Sequence, residues 1–407
     1  MENQKVALLK SWVQVPNHSD FTIYNLPFGI FKNKRLTPRI GIAIGDKIVD
    51  LHALKEAGFL TDIKLGDEIF LQESLNPFIG LGKSTTKKVR EKVQQLLNED
   101  NPNLKDHQSR GKIMLGLKEA EMLLPVNIGD ISFVYQDENL DPSSLSGTIP
   151  HGYYGKASSI IPSGINLTRP KFICKNEETN KLQLSPTKNL DYEIKLACVI
   201  GKSSKLGESI PIAEAEDYIF GYILMNDWVI RDNESGPSPF NSSLTNRNFA
   251  CAISPWIVTV DALEAFKTTH PLQNHELLYL QNKDSQGLDI HLEAILKPEK
   301  GAEIPLSKTN FKYSQWNMVQ LLAHQTLNGS NLEIGDLIAT GAPSSPEPNP
   351  INYSTDDNSP LDFPTTEGVK SRGYFKDRET VIVKAFGEKD GVRVGFGEVI
   401  TKVLPSK

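Results

Sequence analysis

The sequence predicts an α+β fold that is predominantly β, and three observations carry that reading. The run 221–232 is apolar for most of its length and then delivers Asn226, Asp227, Arg231 and Asp232. Such a run reads as a covered strand whose end can aim side chains at a ligand. The run 189–201 alternates Asp191, Glu193 and Lys195 with Leu190, Tyr192, Ile194 and Leu196 before becoming wholly apolar, so three ionisable groups share one strand face. Helical spacing, in contrast, is confined to a few segments, chiefly 87–97 and 314–327.

Taken in order, short strands are expected near 28–31 and 40–49, followed by helix-like segments such as 87–97, with 113–124 leading out of this region. From about Pro125 the strands lengthen and become more apolar, with Gly and Pro punctuation. The helix over 314–327 is expected to end at Asn328-Gly329 as a C-terminal cap. The Pro- and Ser-rich stretch 342–360 reads as a loop. These breaks divide the chain into a small part, 1–124, and a larger part, 125–407.

Composition bounds the function. A chain of 407 residues, 39% hydrophobic and 23% charged, is long enough for a large core. A net charge of -6 and a pI near 5.8 give no basic surface for nucleic acid or anionic membrane. Cys174, Cys198 and Cys251 are widely spaced in mostly apolar contexts, which reads as free thiols in a reducing compartment. The start at Met1 lacks a charged-then-apolar leader and no stretch is long enough to span a bilayer, so a cytoplasmic protein is expected.

Asp227 and Arg231 are site candidates because they lie at the end of a covered strand. A solvated face is the ordinary explanation of Asp191, Glu193 and Lys195. Against it, their strand continues into an apolar run, and charges persist in a core only if paired or metal-bound.

Short motifs then run in one order along nearly the whole chain: Asn25 to Phe31, Arg39 to Asp46, Leu75 to Phe78 with Gly80 to Gly82, Gly152 to Ser159, Asn226 to Trp228, Ile253 to Trp256, Asn328-Gly329, Gly335 to Gly341 and Val392 to Gly397. Through these the chain resembles the fumarylacetoacetase family, hydrolases that cleave a carbon–carbon bond in tyrosine degradation. The resemblance implies a small N-terminal SH3-like barrel domain, a larger C-terminal mixed β-roll domain and a homodimer. In that family four carboxylates hold magnesium or calcium, which binds a 1,3-diketo acid, and a histidine backed by a glutamate activates water. Fold follows from such likeness more firmly than reaction.

Carried over by position, the metal ligands fall on Asp130, Glu193, Lys195 and Asp227, so a lysine replaces one carboxylate. The catalytic histidine falls on Asp137. The family's tyrosine near the metal becomes Ser132, its lysine Arg247, its glutamine Glu234 and its late threonine Ala342, whereas Tyr153 and Arg231 are retained. A loop carrying a substrate-binding arginine is shortened between Glu138 and Pro150. Asp357, Asp362 and Glu367 all remain open as the group that would back the base.

Four carboxylates with a divalent cation sum to minus two, and Asp130, Glu193 and Asp227 with a protonated Lys195 give the same sum. The ammonium is therefore expected to replace the ion, leaving magnesium or calcium bound weakly or not at all. A lysine among carboxylates stays protonated and serves as an electrophile for a carbonyl or enolate oxygen. Asp137 would be the base if burial lifts its pKa. His151 is a candidate replacement for the missing histidine, although a lone loop histidine is more often simply exposed.

Two functions of different class follow. One is an enzyme on a small 1,3-dicarbonyl or acyl-keto acid, acting by carbon–carbon hydrolysis or a related enolate reaction. The other is a catalytically silent homologue kept for ligand binding or assembly.

Overall fold

A hairpin begins the first sheet. Arg39–Ile44 and Lys47–Asp50 pair antiparallel around a turn in which Gly45 takes φ +55°, a left-handed conformation that costs glycine nothing. Phe28–Lys32 lies on one side of the hairpin and Met114–Gly116 on the other, while Glu121–Met122 completes the five-stranded sheet beyond Phe28–Lys32. The segment 113–124, expected only to lead out, thus supplies two strands. The helix predicted over 87–97 starts earlier, at Lys83–Leu97, and buries Val89, Val93, Leu96 and Leu97. This computed structural model describes residues 8–135, 149–176, 178–232, 243–269, 277–281, 286–341, 343, 362–365, 368–371 and 374–407.

The central sheet places the site. Leu190–Ile200 and Ile219–Ile230 pair antiparallel in its middle, and every residue of both is buried. Outward from Leu190–Ile200 come Leu337–Ala339, then Ile131–Tyr135, then His151–Tyr154 at the edge; outward from Ile219–Ile230 come Cys251–Ile253 and then Ile160–Pro162. One face carries Ala197, Val199, Ile223 and Ile253, which pack with Phe28, Ile30 and Phe78 of the N-terminal region. Phe28 and Ile257 also exchange backbone hydrogen bonds of 3.0 and 2.8 Å across that junction. The opposite face, with Leu196, Cys198, Leu224 and Trp228, packs on a second five-stranded sheet through Leu292, Val381 and Val399.

The predicted helix over 314–327 is shorter than its periodicity suggested, spanning Met318–Gln325. Asn317 fixes its start by accepting from the Gln320 backbone N–H while the Gln320 side chain returns to the Asn317 backbone, a reciprocal cap. The chain has already left the helix at Thr326, before Gly329 turns it at φ +82°. The fold is mostly β with some helices. No helix among the described residues is long and apolar enough to cross a membrane.

Candidate active site

The antiparallel register sets Glu193 directly opposite Asp227. Two carboxylates so placed repel, and in this nearly dry position the arrangement demands cations. Three are supplied. Lys195, two residues along the same face, places Nζ 2.9 Å from Glu193 Oε2 and 3.0 Å from Asp227 Oδ2. Arg247, just past the short helix Ser243–Asn246, donates from Nη1 and Nη2 to the two Glu193 oxygens at 2.7 Å each and approaches Asp227 Oδ2 at 3.4 Å. Arg231, the first residue beyond Ile219–Ile230, donates Nε to Asp191 Oδ2 at 2.6 Å and Nη2 to Glu193 Oε1 at 3.2 Å.

Tyr153 closes the cluster from the edge strand. Its hydroxyl donates to Asp227 Oδ2 at 3.0 Å and accepts from Arg247 Nη1 at 3.5 Å. The Tyr153 ring stacks on Phe133, its register partner, with centroids 5.1 Å apart. The Lys195 ammonium in turn lies 4.8 Å over the Phe133 ring, a cation–π contact.

Burial opposes charge here, and for Lys195, Glu193 and Arg247 the partners override it, whereas for Asp191 burial outweighs Arg231 and raises the carboxyl. For Lys195 the desolvation cost is outweighed by Asp227 and Glu193, which hold the ammonium above its ordinary pKa. Burial alone would lift Glu193, but Arg247, Lys195 and Arg231 keep it well below the usual carboxylate range. Arg247 is likewise pushed up by Glu193 against its own desolvation. Burial raises the Tyr153 phenol, so it stays a neutral donor.

This geometry changes the charge count reached from sequence. Asp130 is exposed, one position before the strand Ile131–Tyr135, where its backbone N–H donates to Asp336 Oδ1 at 2.8 Å. Strand parity explains the correction: Asp130 and Phe133 are three positions apart, an odd offset, so only one can face Lys195. Phe133 does, and it fills the wall assigned to a fourth carboxylate. Ser132 shares the parity of Asp130 and donates to Gln325 Oε1 at 2.6 Å, on the other side of the strand from Lys195. Among the described residues the minus two reckoned with Asp130 gives way to three acids facing three cations: Asp191, Glu193 and Asp227 against Lys195, Arg231 and Arg247.

Asp137, Glu234, Ala342, Asp357 and Glu367 lie outside the described residues, as does nearly all of 342–360. Asp362 begins a short strand paired with Gly368–Ser371. His151 is exposed on the edge strand opposite Tyr135, and its charge is felt by the half-buried His324, whose Nδ1 is 2.9 Å from the Tyr279 hydroxyl. Phe133 escaped the sequence reading. The signal was in Gly152 and Gly155, which flank Tyr153: a Cβ on Gly155 would fall on the Phe133 ring.

A divalent cation does not fit this donor set. Glu193 already accepts three hydrogen bonds, from Arg231 and both arms of Arg247, and pairs with the Lys195 ammonium at 2.9 Å, so both of its oxygens are engaged by cations. Among the described residues no three His, Cys, Asp or Glu side chains are grouped to hold a metal. What the cluster offers is a set of cationic and phenolic donors held rigidly in a low-dielectric site, the arrangement that stabilises developing negative charge.

Comparison with known proteins fixes the lineage. Residues 24–125 match the Fumarylacetoacetase N-terminal family model and residues 131–404 the Fumarylacetoacetate (FAA) hydrolase C-terminal model. The chain is 36% identical over 425 residues to a fumarylacetoacetase of Arabidopsis thaliana, covering 98% of this chain and 100% of that one. It is 35% identical to the human fumarylacetoacetase, covering 97% and 99%. Among solved structures, a fumarylacetoacetate hydrolase of Exiguobacterium antarcticum shares the fold at a TM-score of 0.53 with 18% identity, covering 93% of this chain and 99% of that one. With both parts of the chain matched in order and full-length relatives above one-third identity, the chain belongs to the fumarylacetoacetase family.

Proposed function

We propose that this chain is a fumarylacetoacetase-type enzyme acting on a small 1,3-dicarbonyl or acyl-keto acid, with Lys195 standing where its relatives carry a metal. The observation that carries the proposal is the Lys195 ammonium held between Glu193 and Asp227 beside the Arg247 guanidinium and the Tyr153 hydroxyl. In this reading Arg247 and Tyr153 orient the acid, and Lys195 donates to the carbonyl oxygen as it takes on enolate charge. The base in this reading is Asp137. A carboxylate is a weaker base than imidazole, so proton transfer next to a carbonyl or slow carbon–carbon hydrolysis suits the site better than fast water attack. Loss of the histidine base lowers hydrolysis of fumarylacetoacetate itself by about 10²–10⁴. A homodimer in the cytoplasm completes the reading.

Exchange of deuterium from solvent into the carbon between the two carbonyls of an acyl-keto acid tests it. Exchange that survives chelators and disappears in Lys195→Met supports the proposal; exchange that requires added magnesium overturns it. Arg247→Ala is expected to weaken binding of a keto-acid analogue by about 1.5–3 kcal/mol, the range for a hydrogen bond to a charged group. Arg231 touches Asp191 and Glu193 and acts through them, so Arg231→Ala lowers affinity by loosening Glu193.

A second reading is favoured by one feature: among the described residues each acid of the cluster already meets a cation. A silent homologue would show neither exchange nor keto-acid binding, with wild type and Arg247→Ala indistinguishable in calorimetry.

A further inference from the structure

A separate cavity of about 780 Å³ opens at the seam between the N-terminal sheet and the second five-stranded sheet. Its volume is in the range of small-molecule sites. Phe21 and Trp256 form an aromatic corner, with ring centroids 5.4 Å apart, and Met122 and Ile165 extend the apolar lining. Gly397, at φ +71°, also lines the cavity, and a Cβ there would come within 3.2 Å of Trp256. The strand therefore needs glycine at this point to pass the aromatic corner.

Four charges of alternating sign border this apolar floor. Arg393 Nη2 lies 3.1 Å from Asp20 Oδ1, and Lys384 Nζ lies 2.7 Å from Glu398 Oε1. The two pairs form one field: burial raises the Asp20 carboxyl, Arg393 pulls it back, and both Glu398 and Lys384 act on it. Lys384 and Glu398 are part-exposed and open to exchange with a ligand, since surface pairs hold each other weakly. Arg393 is different. Its guanidinium lies 3.7 Å over the Phe386 ring with Nη1 on Glu388, while its buried Nε has no hydrogen-bond acceptor. That atom is closed off from the cavity, so it is the part-exposed remainder of the side chain that borders it.

We propose that this seam cavity binds a small zwitterion, an α-amino acid with an aromatic or branched apolar side chain. Its carboxylate meets the Lys384 ammonium and the part-exposed Arg393 side chain, its ammonium meets Asp20 and Glu398, and its side chain covers Phe21, Trp256 and Met122. Anions alone would meet Asp20 and Glu398, and cations alone would meet Arg393 and Lys384, so both ligand charges are required. A bound molecule joins the N-terminal sheet to the C-terminal part and stabilises their junction.

Calorimetric titration of the full chain with L-phenylalanine, phenethylamine and 3-phenylpropionate tests the idea. Phenylalanine is expected to bind, with each singly charged analogue at least about tenfold weaker. Arg393→Met should weaken phenylalanine binding by a similar factor, and Arg247→Ala, in the other site, should leave it unchanged. Because Arg393 also holds Asp20 and Glu388, the deciding variant is Ile165→Trp, which fills the cavity from an exposed position without touching an ion pair. Absence of phenylalanine binding at millimolar concentration, equal binding of all three probes, or unchanged binding in Ile165→Trp would overturn the proposal.

Discussion

The two faces of the paired strands Leu190–Ile200 and Ile219–Ile230 are equally buried yet chemically opposite. The face toward the second five-stranded sheet carries Tyr192, Ile194, Leu196, Leu224 and Trp228. The face toward the N-terminal region starts equally apolar at Val199, Ala197 and Ile223, then changes within one residue pair to Lys195, Glu193, Asp227 and Asp191. The difference teaches that burial by itself does not decide polarity. The apolar face is held by area removed from water. The charged end holds because each carboxylate meets a cation at hydrogen-bonding distance, and such pairs roughly break even against apolar packing. A protein that kept this cluster for stability alone would gain little from it, which points to function.

Breaking the charged end should give the largest effect. Lys195→Met leaves Glu193 and Asp227 facing each other, and stability to chemical denaturant is expected to fall by about 3–5 kcal/mol, the cost of orphaning a buried charge. A loss below about 1 kcal/mol would show that Arg247 and Arg231 suffice, and the contrast between the faces would blur.

The next experiment converts one kind of charged site into another. Lys195→Glu alone leaves the Phe133 ring at the fourth wall, so no metal affinity is expected from it. Lys195→Glu combined with Phe133→Asp should create an oxygen site, read as thermal stabilisation by calcium of about 2.7 kcal/mol at a hundredfold excess over Kd. Metal-induced stabilisation of the single variant, or of wild type, would contradict the geometry.

The apolar face contains its own exception. Asn226, between Ile194 and Ala252 in register, is fully buried, and neither its side-chain N nor O has a hydrogen-bond partner. Asn226→Leu is therefore expected to stabilise the protein by about 1–3 kcal/mol, reversing the usual sign of a core substitution. Destabilisation would show that this amide serves a bound group.

The smallest effect concerns pH. Burial, then His151, lowers the pKa of His324 from its ordinary 6.5. The folded state thus favours neutral imidazole, so the stability contribution is present above pH 6.5 and is lost as pH falls toward the depressed folded value. His324→Gln should flatten the pH dependence of the unfolding midpoint between about 5 and 7. An unchanged slope would assign that dependence to other groups.

Much of the charged cluster was legible because strand parity is local. Asp191, Glu193 and Lys195 had to share a face, and the end of the second strand had to bring Asp227 near them. Asp130 failed because a motif match assigns position along the chain but not side-chain direction, and one residue of offset turns a strand residue to the opposite face. The helix Met318–Gln325 was placed correctly in the chain but drawn too long, since its ends are set by the Asn317 cap and the turn at Thr326.

The sequence by itself determined the predominance of β structure, the family, and the identity of the charges that enter the core, because periodicity and motif order are properties of the chain. Only tertiary structure decided which charges meet. Arg247 reaches Glu193 from 54 residues away, Phe133 takes the place expected for a carboxylate, and among the described residues three acids meet three cations. Those outcomes depend on which strands become neighbours and on how side chains fill the space between them, and neither is encoded at any single position.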